Sequence, residues 1–240
     1  MPTNVKPDDL NYDHYETKKY DLEIIDSIPG YEELHKNIDD IITKCFTGTT
    51  IRYVAHRGRI QILELGLGTG LTALQILQKL PSAKYTAFDF SKNMLDGARK
   101  RLFGYDVTFI EGDYSRLELP QNNDLVVSVI GIHHQEMDKD KKSLFQKIYD
   151  SLDENGSFIF GDLVTYRDQT EAALKEAKHY HHLVENAENE ESLREWAHHH
   201  KFLNKLAPLE DQVEWLRGVG FREVKVVYKK FNTALVYATK

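Results

Sequence analysis

Three glycines with a regular spacing mark the part of the sequence that is best suited to bind a ligand. Gly66, Gly68 and Gly70 lie in the segment ILELGLGTG, directly after a predicted strand and directly before a predicted helix. Glycine adopts positive φ values and lets a ligand lie against bare main chain, so this turn favours a binding site at the carboxyl edge of a sheet. A tight strand-to-helix connection without a ligand is the competing interpretation.

The spacing of these glycines narrows the class of ligand. A dinucleotide-binding turn has the pattern G-x-G-x-x-G/A, whereas Leu71 occupies the third small position here. No Lys-Ser or Lys-Thr pair follows the glycines, which excludes a phosphate-binding P-loop. The turn therefore fits neither NAD nor a P-loop nucleotide.

Two aspartates follow the next two predicted strands. Asp89 lies about twenty residues after the glycines, where a carboxylate can accept hydrogen bonds from two ribose hydroxyls. A helix N-cap is its alternative role, but Ser91 directly precedes the helical pattern and suits that role better. Asp113 is placed to reach an adenine amino group, with a surface turn as the alternative. We expect Asp89 and Asp113 to flank one nucleoside.

Alternating strand and helix patterns predict a parallel sheet that is covered on both faces. The predicted strands span residues 61–65, 84–88, 107–110, 124–130 and 157–161. The predicted helices span residues 32–46, 71–80, 92–102, 139–152 and 210–218, and further helices are inserted within 166–206. Two final strands, at 224–228 and 233–239 and about four residues apart, predict an antiparallel hairpin, while residues 1–20 read as a loose polar start.

Composition restricts the partners and the location of the protein. The chain has 240 residues and a formal net charge of -7, which argues against binding to nucleic acid through its phosphates. No apolar run reaches the ~20 residues of a membrane span, and the polar N-terminus lacks a secretory signal. The single Cys45 suits a reducing compartment. We expect a cytoplasmic protein with a small-molecule partner and no membrane contact, and we leave a homodimer open.

Five motifs in order along the chain resemble those of the class I S-adenosylmethionine-dependent methyltransferases. They are ELGLGTG, FDFSKNML, EGDY, DLVVSVIGIHH and LDENGSFIFGD, within residues 60–165. The resemblance implies an α/β fold with a Rossmann-like, seven-stranded, mostly parallel sheet, an antiparallel C-terminal hairpin and a helical cap. Two flanking segments, IPGYEELHKNIDDI and WLRGVGF, more loosely resemble carboxy-S-adenosylmethionine synthase and related small-molecule methyltransferases.

This resemblance implies a cofactor and the residues that bind it. S-adenosylmethionine is expected to place its methionine part at Gly66, Gly68 and Gly70, its ribose at Asp89 and its adenine at Asp113. Its product is S-adenosylhomocysteine.

Four further cofactor-binding residues come from the same motifs. Glu64 matches the acidic residue of the first motif and is expected near the amino group of the cofactor or the backbone of the glycine loop. Phe90, Tyr114 and Ile130 belong to the second, third and fourth motifs and are expected to contact the cofactor as well.

His133 and His134 are the candidate catalytic residues, because they follow the fourth predicted strand, beside the transferred methyl group in this fold. Imidazole titrates in the range that a general base requires, although these rings would serve equally to cap the strand. Asp162 and Tyr166, beyond the fifth strand, are further candidates for the acceptor pocket. Since the methyl group of a sulfonium is already activated, alignment dominates the chemistry and a base is optional.

The histidine-rich segment 166–206 is expected to form a mobile cap that supplies the acceptor pocket through residues such as His179, Tyr180 and Trp196. Consecutive histidines on a helix point about 100° apart and cannot all bind one ion, so we predict no metal site. Apolar side chains, among them Leu183, Trp196 and Phe202, are expected on the buried face of this segment.

The expected organisation is a single class I methyltransferase domain over residues 1–240, with a core at 52–165 and 208–240 and a cap from 13–46 and 166–206. The expected function is transfer of a methyl group from S-adenosylmethionine to an unidentified small-molecule acceptor. The alternatives are an enzyme like carboxy-S-adenosylmethionine synthase and a non-catalytic S-adenosylmethionine-binding protein.

Overall fold

A seven-stranded sheet forms the centre of the molecule, of which the computed structural model describes residues 16–47 and 58–240. The strands are β1 (Gln61–Leu65), β2 (Lys84–Asp89), β3 (Val107–Glu111), β4 (Asn123–Val129), β5 (Leu152–Leu163), β6 (Glu223–Lys230) and β7 (Thr233–Thr239). They lie in the order β3-β2-β1-β4-β5-β7-β6, and β7 alone runs antiparallel to its two neighbours. The predicted sheet, mostly parallel with an antiparallel C-terminal hairpin, is confirmed.

Helices cover both faces of the sheet and part of its carboxyl edge. They are α1 (Thr17–Ser27), α2 (Tyr31–Phe46), α3 (Leu71–Lys79), α4 (Lys92–Arg101), α5 (Asp138–Ser151), α6 (Gln169–Asn186), α7 (Glu190–His198) and α8 (Leu209–Val219). A π-helical turn, His199–Leu203, continues α7. We call α1, α6, α7 and this turn the cap; α1 packs against α6, and α6 packs against α7. Among the described helices none is long and apolar enough to cross a membrane.

The central strands are apolar on both sides because helices bury both faces of the sheet. In β1, Ile62 belongs to the cluster formed with α2, α3 and α4, whereas Leu63 belongs to the cluster formed with α5 and α8. In β4, Val127 belongs to the first of these clusters and Val126 to the second. Successive side chains thus enter opposite cores, which explains the continuous apolar runs of the sequence.

One face of α2 anchors this helix to the sheet. Leu34, Ile38 and Ile42 recur every four residues and are at most 1% exposed. Full burial of such side chains stabilises the fold by about 1.5–3 kcal/mol each. The helix predicted from residue 32 begins one residue earlier, at Tyr31, after Gly30 with a φ of +74°.

The helix α1 is the main difference between the fold and the sequence prediction. Residues 1–20 read as a loose polar start, yet the helix already begins at Thr17. Polar residues dominate its sequence, TKKYDLEIIDS, so its apolar periodicity is weak, and none of its residues is fully buried. The predicted starts of the cap at 13 and of the core at 52 lie outside the described residues.

The final hairpin is tighter than predicted. β6 ends at Lys230 and β7 begins at Thr233, so Phe231 and Asn232 alone connect them, where the sequence prediction placed about four residues. Phe231 has a φ of +54°, a conformation that bulky residues seldom adopt. The extra ladder pairs bring this turn beside the cap, where His179 contacts Asn232.

Candidate active site

A cleft of about 450 Å³, the main cleft, lies at the carboxyl ends of β1, β2 and β4. Its volume is within the ~300–1,000 Å³ that cofactor and small-molecule sites occupy. Predicted cofactor-binding residues that line it are Gly66, Gly68, Asp89, Phe90, Asp113 and Tyr114. Ile130 and His134 line it too, so the fold brings most of the predicted site residues to one place.

The glycine loop is folded back onto β2 by main-chain hydrogen bonds. The N–H groups of Gly66 and Leu67 both donate to the carbonyl oxygen of Phe88, at 3.0 and 2.9 Å. Gly66 and Gly68 have φ values of +79° and +56°, and a Cβ on Gly68 would meet nothing within 4 Å. The loop therefore presents bare main chain to the main cleft.

Gly70 has a different role from the other two glycines. It precedes α3 with a φ of +84° and does not line the main cleft. A Cβ at this position would lie 3.3 Å from Ala98 and 3.2 Å from Leu102. Gly70 therefore permits close packing of the loop against α4.

Asp89 joins the glycine loop to the start of α4. Its carboxylate accepts hydrogen bonds from the main-chain N–H of Gly68 at 2.7 Å and from that of Ser91 at 2.9 Å. Ser91 is the N-cap of α4 and accepts from the N–H of Met94 at 3.2 Å, as the sequence predicts. Asp89 is only 7% exposed, and the surface that it keeps faces the main cleft.

Asp113 and Tyr114 follow β3 and form the opposite side of the main cleft. One carboxylate oxygen of Asp113 accepts from the N–H and the hydroxyl of Ser115, at 2.8 and 2.6 Å, and the other pairs with Arg116 at 3.1 Å. The hydroxyl of Tyr114 donates to the carbonyl oxygen of Gly131 at 3.0 Å, which holds the loop after β4.

Glu64 lies beneath the main cleft and does not line it. It is 1% exposed, and its carboxyl group accepts a hydrogen bond from the hydroxyl of Tyr85 at 2.7 Å. Burial raises the pKa of Glu64 to about 8. The structure thus places Glu64 under the glycine loop, within the sheet.

His133 and Asp162 form a buried pair at the ends of β4 and β5. Nδ1 of His133 contacts one carboxylate oxygen of Asp162, and the main-chain N–H of His133 donates to the other at 2.8 Å. Both side chains are nearly inaccessible, at 2% and 1% exposed. Because a carboxylate only accepts, Nδ1 carries the hydrogen, and in the neutral ring Nε2 carries the lone pair.

A second cavity of about 90 Å³ lies between this pair and the cap. Its imidazole lining consists of His133, His134, His179, His199 and His200. It shares Tyr20, Ile24, Ile130 and His134 with the main cleft, so the two spaces adjoin.

The imidazoles of the second cavity pack closely on one another. The rings of His179 and His200 stack with centroids 3.9 Å apart, and those of His133 and His134 lie at the same separation. Burial lowers the pKa of His179 to about 3 and those of His199 and His200 to about 4. Burial also lowers the pKa of His134 well below its usual value. These four rings are therefore neutral near pH 7.

Several predicted cap residues are placed differently from the expectation. His179 and Trp196 line the second cavity, but Tyr166 and Tyr180 do not. The hydroxyl of Tyr166 donates to the carbonyl oxygen of Phe231 at 2.7 Å and its ring packs in the core, so its predicted place in the pocket is wrong. Phe202, predicted to be buried, is 50% exposed because the π-helical turn points it outward.

The sequence prediction placed residues 13–46 in the cap but named no residue of α1 at the site. Tyr20 and Ile24 line both cavities, and Asp21 ties the helix to the glycine loop through the hydroxyl of Thr69 and the guanidinium of Arg101. Arg101 also donates to the carbonyl oxygen of Thr69 at 2.5 Å. The spacing of Tyr20 and Ile24, four residues apart, was the available signal, but it is a single pair in a polar segment.

Within the described ranges, 16–47 and 58–240, no three or more His, Cys, Asp or Glu side chains are arranged to hold a metal ion. The closest imidazole pairs of the second cavity are stacked face to face or tilted, with centroids 3.9 Å apart. Their arrangement suits an organic ligand.

Comparison with known proteins agrees with this geometry. Residues 62–156 match a family described as a methyltransferase domain. Carboxy-S-adenosyl-L-methionine synthase of Campylobacter curvus is 26% identical over 95% of this chain and 94% of its own length. Malonyl-[acyl-carrier protein] O-methyltransferase of Priestia megaterium is 32% identical over 42% of this chain and 36% of its own.

Solved structures share the fold. A phosphoethanolamine N-methyltransferase of Haemonchus contortus, in complex with S-adenosylhomocysteine, aligns with a TM-score of 0.63 at 20% identity. Human N-acetylserotonin methyltransferase, in complex with S-adenosylmethionine, aligns with a TM-score of 0.53 at 21% identity. The alignments cover 94% and 75% of this chain, which spans 47% of the length of each of these two proteins.

These matches, together with the strand order and the glycine loop, confirm the resemblance to class I S-adenosylmethionine-dependent methyltransferases and the Rossmann-like fold. The family match spans β1 to the first part of β5.

Proposed function

We propose that the protein is an S-adenosylmethionine-dependent methyltransferase that acts on a small molecule. The observation that carries this proposal is the main cleft, where the glycine loop, Asp89 and Asp113 meet at the carboxyl edge of the sheet. Ligands of open α/β sheets bind at this edge, and the family match agrees with that position.

The main cleft has the features that a nucleoside with an amino-acid tail requires. Gly66 and Gly68 expose main chain for the methionine part. Asp89 has about four acceptor positions on its carboxylate, enough to hold the loop and to accept from ribose hydroxyls. Asp113 is on the adenine side, with Phe90 and Tyr114 beside it. When bound, S-adenosylmethionine supplies a methyl group that its sulfonium has already activated.

His133 is the residue that we propose as general base. Asp162 holds its Nδ1, so Nε2 is the nitrogen available to take a proton from an acceptor in the second cavity. His134 lies at the junction of the two cavities and is neutral, which suits it to align the acceptor by hydrogen bonding. Alignment of this kind supplies up to ~7–11 kcal/mol of the barrier.

A carboxy-S-adenosylmethionine synthase-like activity is the second candidate, because relatives with that name match nearly the whole chain. That reaction places an additional carboxylate on the cofactor, and the resemblance implies that an arginine within residues 166–206 would hold it. Among the described residues that line the second cavity there is neither arginine nor lysine. This lining favours methyl transfer over the alternative, and the buried His133–Asp162 pair favours it over a non-catalytic binding protein.

Calorimetry with S-adenosylmethionine, S-adenosylhomocysteine and NAD tests the proposal. We expect the first two to bind and NAD not to bind. Asp89→Ala should weaken S-adenosylhomocysteine by about 1.5–3 kcal/mol, the scale of hydrogen bonds to a charged group. Asp96→Ala, on the exposed side of α4, is the matched control and should bind normally. NAD binding without a response to S-adenosylhomocysteine would refute the proposal.

The remaining features are proposals of the same kind. We propose one domain over residues 1–240, with a core at 52–165 and 208–240, and a cytoplasmic location, supported by the single Cys45. The net charge of -7 supports a small-molecule partner over nucleic acid. A homodimer stays a prediction, which sedimentation at several concentrations would test.

A further inference from the structure

The second cavity is placed to hold the acceptor. It adjoins the main cleft through Ile130 and His134, and His133 lies in its wall. A volume of about 90 Å³ has room for a compact ligand of about five heavy atoms. An acceptor at this site would lie beside a cofactor bound in the main cleft. This inference rests on the proposed function and concerns the chemistry of that acceptor.

One buried side-chain oxygen in the lining of the second cavity lacks a hydrogen-bond donor among the described residues. The side-chain oxygen of Asn204 is buried and has no hydrogen-bond partner within the described part of the chain, while its amide nitrogen faces His200 at 3.4 Å. Such an orphaned oxygen costs about 1–3 kcal/mol unless a donor reaches it. The cavity also includes the carboxylates of Glu23 and Glu195, which only accept. A ligand that donates hydrogen bonds satisfies the oxygen of Asn204 and offers further donors to these carboxylates.

The charges around the second cavity disfavour an anionic ligand. Four of its five imidazoles are neutral near pH 7, and no lysine or arginine of the described chain lines it. Lys19 pairs with Glu23 at 3.2 Å, but it is 61% exposed and lies outside the lining. Glu195, which is exposed and also interacts electrostatically with Lys19, and the buried Asp162 add negative charge. An anionic acceptor would therefore lack a cationic partner.

We propose that the acceptor is a compact primary or secondary amine, which enters the second cavity as an ammonium ion and is methylated on nitrogen. Glu195 and Asn204 accept its N–H groups, and the indole of Trp196 provides an aromatic wall that attracts a cation. Apolar side chains, Ile28, Leu163 and Leu183, surround its carbon skeleton.

His133 and Asp162 provide the groups that the proton transfer requires. Nε2 of His133 takes a proton from the ammonium ion, and Asp162 stabilises the imidazolium that results. The lone pair of the amine nitrogen forms a C–N bond to the methyl carbon as the S–C bond breaks, and that electron pair stays on sulfur. The products are S-adenosylhomocysteine and the methylated ammonium ion, and His133 returns its proton to water.

Three probes with one carbon skeleton test the charge preference directly: 2-methylpropan-1-amine, 2-methylpropan-1-ol and 2-methylpropanoate. Each is titrated by calorimetry at pH 7 into the full chain saturated with S-adenosylhomocysteine. We expect the amine to bind about tenfold or more tightly than the alcohol, and the carboxylate to give no measurable binding.

Variants locate the binding site. Glu195→Gln and Asn204→Leu should each weaken the amine by about tenfold and leave the affinity for S-adenosylhomocysteine unchanged. Asn204→Asp keeps an oxygen acceptor at the same place and should retain the amine. Glu191→Gln, an exposed position one turn earlier on α7, is the matched control and should change neither affinity.

Two outcomes of these titrations would overturn the inference alone: binding of the alcohol or the carboxylate as tightly as the amine, or absence of amine binding to a protein that binds S-adenosylhomocysteine. An unchanged amine affinity in both Glu195→Gln and Asn204→Leu would remove the amine from the second cavity. Failure of S-adenosylhomocysteine itself to bind would instead refute the proposed function, and this inference with it.

Discussion

The main cleft and the second cavity share several lining residues, yet different structural elements form most of each site. The main cleft is formed by strand ends, by the glycine loop and by carboxylates whose oxygens accept main-chain N–H groups, as Asp89 does from Gly68. The second cavity is formed by helical side chains of the cap, above all imidazoles, against the ends of β4 and β5. One site is shaped by backbone and the other by side chains.

This difference separates the two tasks that the proposed function requires. A backbone-shaped site changes little when side chains are replaced, which suits a cofactor that is the same in every reaction. A site of side chains changes its chemistry with single substitutions, as at Glu195 or Asn204, which suits acceptor selection. Damage to one site is therefore expected to spare the other.

The largest effect is expected at the His133–Asp162 pair. Asp162→Asn keeps the size of the side chain but removes the charge that stabilises a protonated His133, so methyl transfer should slow by about 10²-fold or more. The affinity for S-adenosylhomocysteine should not change, because Asp162 does not line the main cleft. Initial rates across pH with one amine acceptor, together with calorimetry, measure both quantities.

Asp168→Asn is the control for this change, since Asp168 is exposed at the N-cap of α6 and asparagine caps a helix equally well. Its rate and pH profile should match those of the unmodified protein. An Asp162→Asn variant with a normal rate and an unshifted pH profile would show that His133 is not oriented by this carboxylate for catalysis.

Alanine at Gly68 should have two separable consequences: its methyl group occupies part of the main cleft, and its backbone is strained. Gly68 and Gly104 both have a positive φ, +56° and +95°, and a Cβ on either meets nothing within 4 Å. Alanine at either position should destabilise the fold by about 1–2 kcal/mol. Only Gly68→Ala places a methyl group in the main cleft, and it should weaken S-adenosylhomocysteine by about ten- to a hundredfold.

For both variants, urea unfolding measures the loss of stability and calorimetry measures the affinity for S-adenosylhomocysteine. Equal affinities for S-adenosylhomocysteine in Gly68→Ala and Gly104→Ala would mean that the loop does not contact the cofactor.

The same contrast explains how much the sequence predicts. The bounds of β1 and the positions of Gly66, Gly68 and Asp89 at the main cleft follow from short-range patterns, since a strand, a turn and a helix start are consecutive in the chain. The second cavity does not follow in this way. His179 and His200 are distant in sequence and stack only because α6 and α7 pack together.

Tertiary contacts also decided the cases that sequence reasoning got wrong. Tyr166 was expected at the acceptor pocket, but the two-residue hairpin turn brings the carbonyl oxygen of Phe231 to its hydroxyl and turns its ring into the core. Helix α1 is held by Asp21 through Thr69 and Arg101, contacts that no local periodicity contains. Both depend on segments far apart in the chain.

A smaller effect, on stability, is expected from acid. Burial lowers the pKa of His179 to about 3, below its ordinary value of 6.5. Between these two pH values His179 is protonated in the unfolded chain and neutral in the folded protein. The stability that this neutral ring contributes is present above pH 6.5 and is lost as the pH falls toward 3. Between pH 7 and 5 the free energy of unfolding should fall by about 2 kcal/mol because of His179.

Urea unfolding at the two pH values measures this loss, and His179→Gln should reduce it. His181→Gln is the control, because His181 lies on the same helix but is 71% exposed. An equal pH dependence in the unmodified protein and in His179→Gln would mean that the ring titrates normally in the folded cap.

The smallest effect on cofactor binding is expected at Glu64, although the resemblance implies a cofactor contact there. With a pKa of about 8, Glu64 is mostly protonated at pH 7, and Glu64→Gln replaces one neutral group by another of similar shape. The affinity for S-adenosylhomocysteine should change by less than about threefold.

Because the folded pKa is raised, the stability from Glu64 declines as the pH rises from 4.5 through about 8, and glutamine should remove that decline. Calorimetry at pH 7 and urea unfolding at pH 5 and 8 measure both. A loss of affinity of tenfold or more would instead assign Glu64 to the amino group of the cofactor, which would require the carboxyl group to ionise when the main cleft is filled.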